Sequence, residues 1–262
     1  MLEVFFTMLT ANTEHSSIRP HMKPSTEQID QFRRDGYTIA GQVLDSAQLA
    51  AARAAYDRIF AATEKPSSYR NLGQKEGEAQ SEGAVLQIID MHKLDDAFRN
   101  ILFQPNILDL IEGLMGTPNI RLYHDQALYK PASHGDEVPW HQDNGYWKLV
   151  PADAMSLWMA LDDVDEANGC MRFVPGSHKA GEVGHMRAGQ YIAQLKADAD
   201  ETLAVAVPLP AGWGVVHHCR TLHMTKPNHT TRQRRAWVMH MIPAGTSQGG
   251  IVLDDRLVLR GV

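Results

Sequence analysis

Cysteine is scarce in this chain: Cys170 and Cys219 are the only two among 262 residues. Two thiols cannot staple a disulfide scaffold, so a reducing, cytoplasmic setting is expected. Long apolar runs are missing too. No stretch approaches the ~18 apolar residues that cross a bilayer, so no membrane partner is expected. The opening MLEVFFTMLT is apolar, but Glu3 interrupts it and no basic residue precedes it, which argues against a secretory signal. Positive charge is short as well: 25 Lys and Arg face 31 Asp and Glu, a formal net charge of -6. Without a basic stripe, nucleic acid is not expected as a partner. What is present is ordinary for a folded soluble protein, with 44% hydrophobic and 21% charged residues. A chain of this length can bury a substantial core.

The chain divides by composition. Residues 1–24 read as an irregular arm with Pro20 and Pro24 near its end, and residues 25–262 read as one domain. Ser25 or Thr26 can cap a helix through TEQIDQFRRDG, which Gly36 would stop. YTIAGQV reads as a strand. A second helix is expected over SAQLAAARAAYDRIFAA, where Leu49, Ala52, Arg53, Tyr56, Ile59 and Phe60 recur at helical spacing. Residues 64–83 are polar and glycine-bearing, so a long loop is expected. VLQIIDMH reads as a strand, and FRNILFQPNILDLIEGLMG as a helical region interrupted around Pro105 and ending near Gly116. After Pro118 come IRLYHDQALYK, MSLWMAL, CMRFVP, LAVAVPL, GWGVVHHC, RAWVMHMIP and RLVLRGV, separated by Gly, Pro, Asn and Asp. Many short strands favour a barrel or sandwich over alternating strand–helix units. The expected architecture is mainly β, with helices outside an antiparallel double-sheet core.

The chemistry centres on PWHQDNGYWKL, residues 139–149. In an extended chain His141 and Asp143 share a face, roughly 6.6 Å apart, and could grip one ion. They could equally be a hydrogen-bonding histidine and a turn cap. A metal needs a third ligand, for which His217, His218 and His223 are candidates. Two imidazoles and one carboxylate leave positions on iron open for a chelating co-substrate and dioxygen. A closed four-ligand structural site would not.

Five blocks extend this reading: STEQIDQFRRDGYTIAGQVLDSAQLAAARAAYD, DQALYKP (125–131), WHQDNGYW (140–147), SLWMALDDVDEANGCMRFVPGSHK (156–179) and HHCRTLHMTKPNHTTRQRRA (217–236). Together they resemble the phytanoyl-CoA dioxygenase family of Fe(II)- and 2-oxoglutarate-dependent oxygenases. The resemblance implies a double-stranded β-helix, the jelly-roll or cupin-like core. It implies His141, Asp143 and His223 as both catalytic and metal-binding residues, with Fe(II), 2-oxoglutarate and O2 as cofactor and co-substrates. Arg234 matches the residue that grips the distal carboxylate of 2-oxoglutarate, a task suited to a planar guanidinium. If 234 and 235 alternate on a strand, only one points inward. Thr225, Gln126, Trp158 and Lys130 occupy positions able to contact the co-substrate. A sheet hydrogen bond for Gln126, core packing for Trp158 and a surface place for Lys130 are the alternatives. His178 reads as structural, and His217 and His218 could pack or hydrogen-bond behind the metal. One departure is AGWGVVHHC, where many relatives carry Gly–Asp before the strand leading to the distal histidine.

The implied activity is oxidation of an unactivated C–H of a small organic molecule, with succinate and CO2 as co-products. Because Asp143 is kept, hydroxylation is favoured over halogenation, and natural-product biosynthesis is the preferred setting. Desaturation, rearrangement or multistep oxidation would use the same centre. A zinc hydrolase and a non-enzymatic binding module are the competing classes. Asn71, Gln74, His134, Tyr146 and Trp147 are the substrate-binding candidates, although an exposed polar loop explains the first three equally well. Nothing basic is arranged for the phosphates of coenzyme A.

Overall fold

Capping boxes open the first two helices. Ser25 and Asp45 accept from the backbone N–H of Gln28 and Gln48, whose side chains accept from the cap N–H groups in return. The computed structural model describes residues 23–76, 84–189 and 194–262. All but the last two residues of the expected arm, MLEVFFTMLT included, and the 77–83 end of the expected loop lie outside the described residues.

In chain order the elements begin with α1 (Thr26–Asp35), β1 (Tyr37–Gln42), α2 (Ser46–Ala61), β2 (Arg70–Asn71) and β3 (Leu86–Ile89). Next come α3 (Met91–Leu94), α4 (Asp96–Leu102), α5 (Pro105–Met115), β4 (Ile120–Lys130), β5 (Val138–His141) and α6 (Asp143–Trp147). Then follow β6 (Leu149–Val150), β7 (Met155–Ala160), β8 (Met171–Phe173), β9 (His185–Arg187), β10 (Leu195–Ala197) and β11 (Val205–Val207). The chain ends with β12 (Trp213–His218), β13 (His223–Thr225), β14 (Arg234–Pro243), β15 (Ser247–Gln248), β16 (Ile251–Val252) and β17 (Val258–Arg260). No described helix is long and apolar enough to cross a membrane.

A large antiparallel sheet runs β1-β12-β7-β14-β4-β3-β2, with β17 also on β4; a smaller one runs β11-β8-β13-β5. The central strands of the large sheet are covered on both faces, which explains their near-continuous apolar sequence. Leu157, Met159, Trp237, Met239 and Met241 face the helices, packing with Tyr56, Phe98, Leu102 and Ile107. Trp158, Ala160, Ala236 and Val238 alternate to the other side and pack with Met171, Phe173 and Val207 of the smaller sheet. The result is a jelly-roll sandwich with helices on one outer face, as expected.

Three local readings need correction. The VLQIIDMH strand stops at Ile89, because Asp90 turns at φ 63 and Met91–Leu94 is a helical turn. The 64–83 stretch is not all loop, since β2 pairs with β3. Asp143 does not continue the strand of His141 but starts α6, a five-residue helix. The interruption at Pro105 and the stop at Gly116 are where the sequence places them.

Candidate active site

Strand register builds the site. β13 lies between β5 and β8, and His223 pairs directly with His141, which sets their rings 4.2 Å apart between centroids. One residue past β5, the chain turns into α6 and swings Asp143 beneath both rings. Asp143 Oδ1 lies 3.9 Å from His141 Nε2 and 3.6 Å from His223 Nε2. The three ligand atoms all lie within 4.8 Å of one another, and all three residues are buried. Each imidazole is aimed by its own backbone. His141 Nδ1 donates to the Pro139 carbonyl at 2.7 Å and His223 Nδ1 to the Thr221 carbonyl at 2.9 Å. Both Nε2 atoms are thereby left as lone-pair donors toward the carboxylate, the arrangement that metal-binding histidines use. Burial lowers the pKa of His141, and burial together with His141 and His217 holds His223 well below the usual value. Burial would raise the Asp143 carboxyl, but His223 and His217 outweigh it and keep it well below the ordinary range. Neutral imidazoles beside an ionised carboxylate are the protonation states a divalent ion requires.

The triad opens into a cavity of about 440 Å³ between the two sheets. At one end three buried polar atoms have no partner: Arg234 Nε, Thr225 Oγ1 and Trp158 Nε1. Arg234 is 1% exposed and its Nη1 donates to the Leu128 carbonyl at 3.2 Å. Its guanidinium lies 5.7 Å from the Trp158 ring, and burial lowers its pKa to about 10. Three unpartnered groups able to donate, around a buried cation, fit a carboxylate. Arg235 alternates to the opposite face, where it pairs with Asp57 and Asp162.

Lys130 is neither at the surface nor on the cavity wall. It is fully buried and its Nζ donates to the carbonyls of Thr225 and Lys226, at 3.2 and 2.5 Å. Gln126 lines the cavity with its amide 2.8 Å from His240 Nε2. Tyr146 and Trp147 also line it, Trp147 within an aromatic cluster of Tyr123, His124 and His240. Asn71, Gln74 and His134 are not among its lining residues; Asn71 accepts from the backbone of Gly73 and Val85, closing its own loop. His217 reaches Asp143 Oδ2 at 3.1 Å, whereas His218 faces Asp153 at 3.9 Å.

Sequence reasoning missed Ser156, which donates to Asp143 Oδ2 at 2.7 Å, and His240, Arg70, Gln194 and Arg256 on the wall. Period two held the signal for the first two: Ser156 shares a face with Trp158, and His240 shares one with Arg234. The others come from distant segments that no spacing connects. A second cluster, Asp90, His92 and Asp125, also brings ligand atoms together. There the buried Asp125 is already engaged by the His92 ring and backbone N–H and by Trp237 Nε1, so it serves the fold.

The family described as phytanoyl-CoA dioxygenase (PhyH) matches residues 32–236. A probable alpha-ketoglutarate-dependent hypophosphite dioxygenase of Stutzerimonas stutzeri is 34% identical over 55% of this chain and 52% of its own. The chain spans about half the length of this and other curated relatives it matches. Among solved structures, the epimerase SnoN in complex with Fe3+, alpha ketoglutarate and nogalamycin RO has a TM-score of 0.71. It is 27% identical, over 90% of this chain and 91% of its own. The non-heme alpha ketoglutarate dependent carbocyclase SnoK from nogalamycin biosynthesis also reaches 0.71, at 26% identity over 88% and 89%.

Proposed function

Since the chain belongs to the phytanoyl-CoA dioxygenase family, we propose that it is an Fe(II)- and 2-oxoglutarate-dependent oxygenase that hydroxylates a C–H of a small organic molecule in natural-product biosynthesis. The observation that carries this reading is the buried His141–Asp143–His223 cluster facing the same cavity as the unpartnered Nε of Arg234. His141 and His223 would hold iron through Nε2 and Asp143 through Oδ1. Arg234, Thr225 and Trp158 would hold the distal carboxylate of 2-oxoglutarate. Lys130 would steady the backbone of Thr225 rather than touch the co-substrate. When bound, the pair would supply, with dioxygen as the oxidant, oxidative decarboxylation to succinate and CO2 together with oxidation of the substrate carbon.

The chain's own residues supply position and dryness. Tyr123, Tyr146 and Trp147 offer aromatic wall to a ring or apolar skeleton. The two free, buried thiols fit a reducing cytoplasm. Relatives named as an epimerase and a carbocyclase keep the alternative of rearrangement at the same centre in view. A zinc hydrolase would leave Arg234, Thr225 and Trp158 without a task. The test is anaerobic titration with Fe(II) and then 2-oxoglutarate. A visible charge-transfer band, lost in Asp143→Ala, is expected; folded, iron-loaded protein without the band overturns the proposal.

A further inference from the structure

Asp143 does not stand alone behind the metal position. Its Oδ2 accepts from Ser156 Oγ at 2.7 Å, and the same hydroxyl meets His240 Nδ1 at 2.7 Å. His240 Nε2 meets the side-chain amide of Gln126 at 2.8 Å, and Gln126 Oε1 accepts from Gln87 Nε2. The direction of every bond follows from the anion. An ionised carboxylate only accepts, so Ser156 spends its single proton on Oδ2. Ser156 can then only accept from His240, which fixes the ring proton on Nδ1. Nε2 is left as an acceptor, so Gln126 must present its N–H, and its oxygen is free for Gln87. The side-chain amide of Gln126 is placed that way round. Ser156 and His240 are fully or almost fully buried, so their shared link is shielded from bulk water.

We propose that Ser156, His240 and Gln126 are positioning residues for the metal ligand: they hold Asp143 by Oδ2, so that Oδ1 alone faces the ion. A carboxylate left free to rotate could chelate with both oxygens and occupy a position the co-substrate or dioxygen needs. A chain of like-directed hydrogen bonds stiffens each member in turn. His217 holds the same oxygen from β12 at 3.1 Å, a second anchor independent of the chain. Gln87 and Gln126 line the cavity, so the far end of the chain lies on its wall. The inference rests on the metal reading above.

The experiment is anaerobic Co(II) titration by calorimetry, with the Fe(II)–2-oxoglutarate charge-transfer band as a second readout. Ser156→Ala is expected to raise the Co(II) Kd roughly 10–100-fold, the usual effect of removing a partner of a metal ligand, and to shift the band. Ser156→Thr, which keeps the hydroxyl, stays near wild type. Gln126→Leu weakens Co(II) several-fold, and Ser156→Ala/Gln126→Leu is no weaker than Ser156→Ala, because Gln126 acts only through Ser156. A merely structural role would give additive losses. Should Ser156→Ala fail to fold, His240→Phe and Gln126→Leu carry the same test. Unchanged Kd and band in folded Ser156→Ala and His240→Phe, or additive losses in the double variant, overturn the inference alone. Wild-type protein that takes up no metal overturns the functional reading, and this inference with it.

Discussion

Two adjacent arginines have opposite fates because a strand alternates. Arg234 points into the cavity with Nε unpartnered, while Arg235 points out to Asp57 and Asp162. Arg234→Ala is therefore expected to raise the 2-oxoglutarate Kd by about 30-fold or more, from loss of a buried charge-assisted contact worth about 2 kcal/mol or more. It should leave metal affinity nearly unchanged. Arg235→Ala should leave the 2-oxoglutarate Kd alone and lower stability by about 2 kcal/mol, since the largely buried Asp162 loses its closest partner and keeps only Arg53 at 3.6 Å. Calorimetric titration and urea unfolding separate the two, and a common phenotype would refute the division. The alternation was legible in RRAW, since period two needs no tertiary information. Asp57, 178 residues away from Arg235, was not. Of the three histidines the spacing left open, His223 meets His141 only because β13 pairs with β5, a register no local pattern carries.

Element ends were the most legible feature, because caps act within a few residues. α1 is capped by Ser25 and stopped by Gly36, α5 is stopped by Gly116, and each stop lies in the left-handed region. α6 was illegible for the opposite reason. Five residues including Gly145 carry no helical pattern, and the turn is held from outside by Asn144, whose N–H donates to the Cys219 carbonyl. The two glycine stops make a controlled pair. At Gly116 (φ 76) an added Cβ meets nothing within 4 Å, so Gly116→Ala should cost only the backbone term of about 1–2 kcal/mol. At Gly36 (φ 81) the Cβ would come within 2.4 Å of Thr221 Oγ1 and 2.5 Å of His178 Nδ1. Thr221 supplies the carbonyl that aims His223. Gly36→Ala should therefore lose more stability than Gly116→Ala and also weaken metal binding. Chemical unfolding and Co(II) titration together check this, and equal losses with intact metal affinity would count against it.

At the scale of the molecule, the sandwich encloses its chemistry between two sheets, and its interior includes more histidine than the triad uses. His240 and His124 pair across β14 and β4 with rings 4.5 Å apart, beside Trp147. Burial lowers His124 to about 4, and burial with His124 alongside holds His240 well below its usual value. In the unfolded chain both would titrate near 6.5. As pH falls below that value the unfolded state takes up protons the native state refuses, so folding stability must decline with falling pH. The window opens near 6.5 and, for His124, closes near 4. Each such histidine contributes up to about 1.4 kcal/mol per pH unit inside it. Metal-free protein in chelator should show a lower urea midpoint at pH 5.5 than at pH 7.5. In His124→Gln, which removes one titrating group while keeping a polar side chain on the cavity wall, the difference should shrink. A variant whose pH dependence matches wild type would mean that His124 is charged as readily in the fold as in water, and that the aromatic wall beside it is open to solvent.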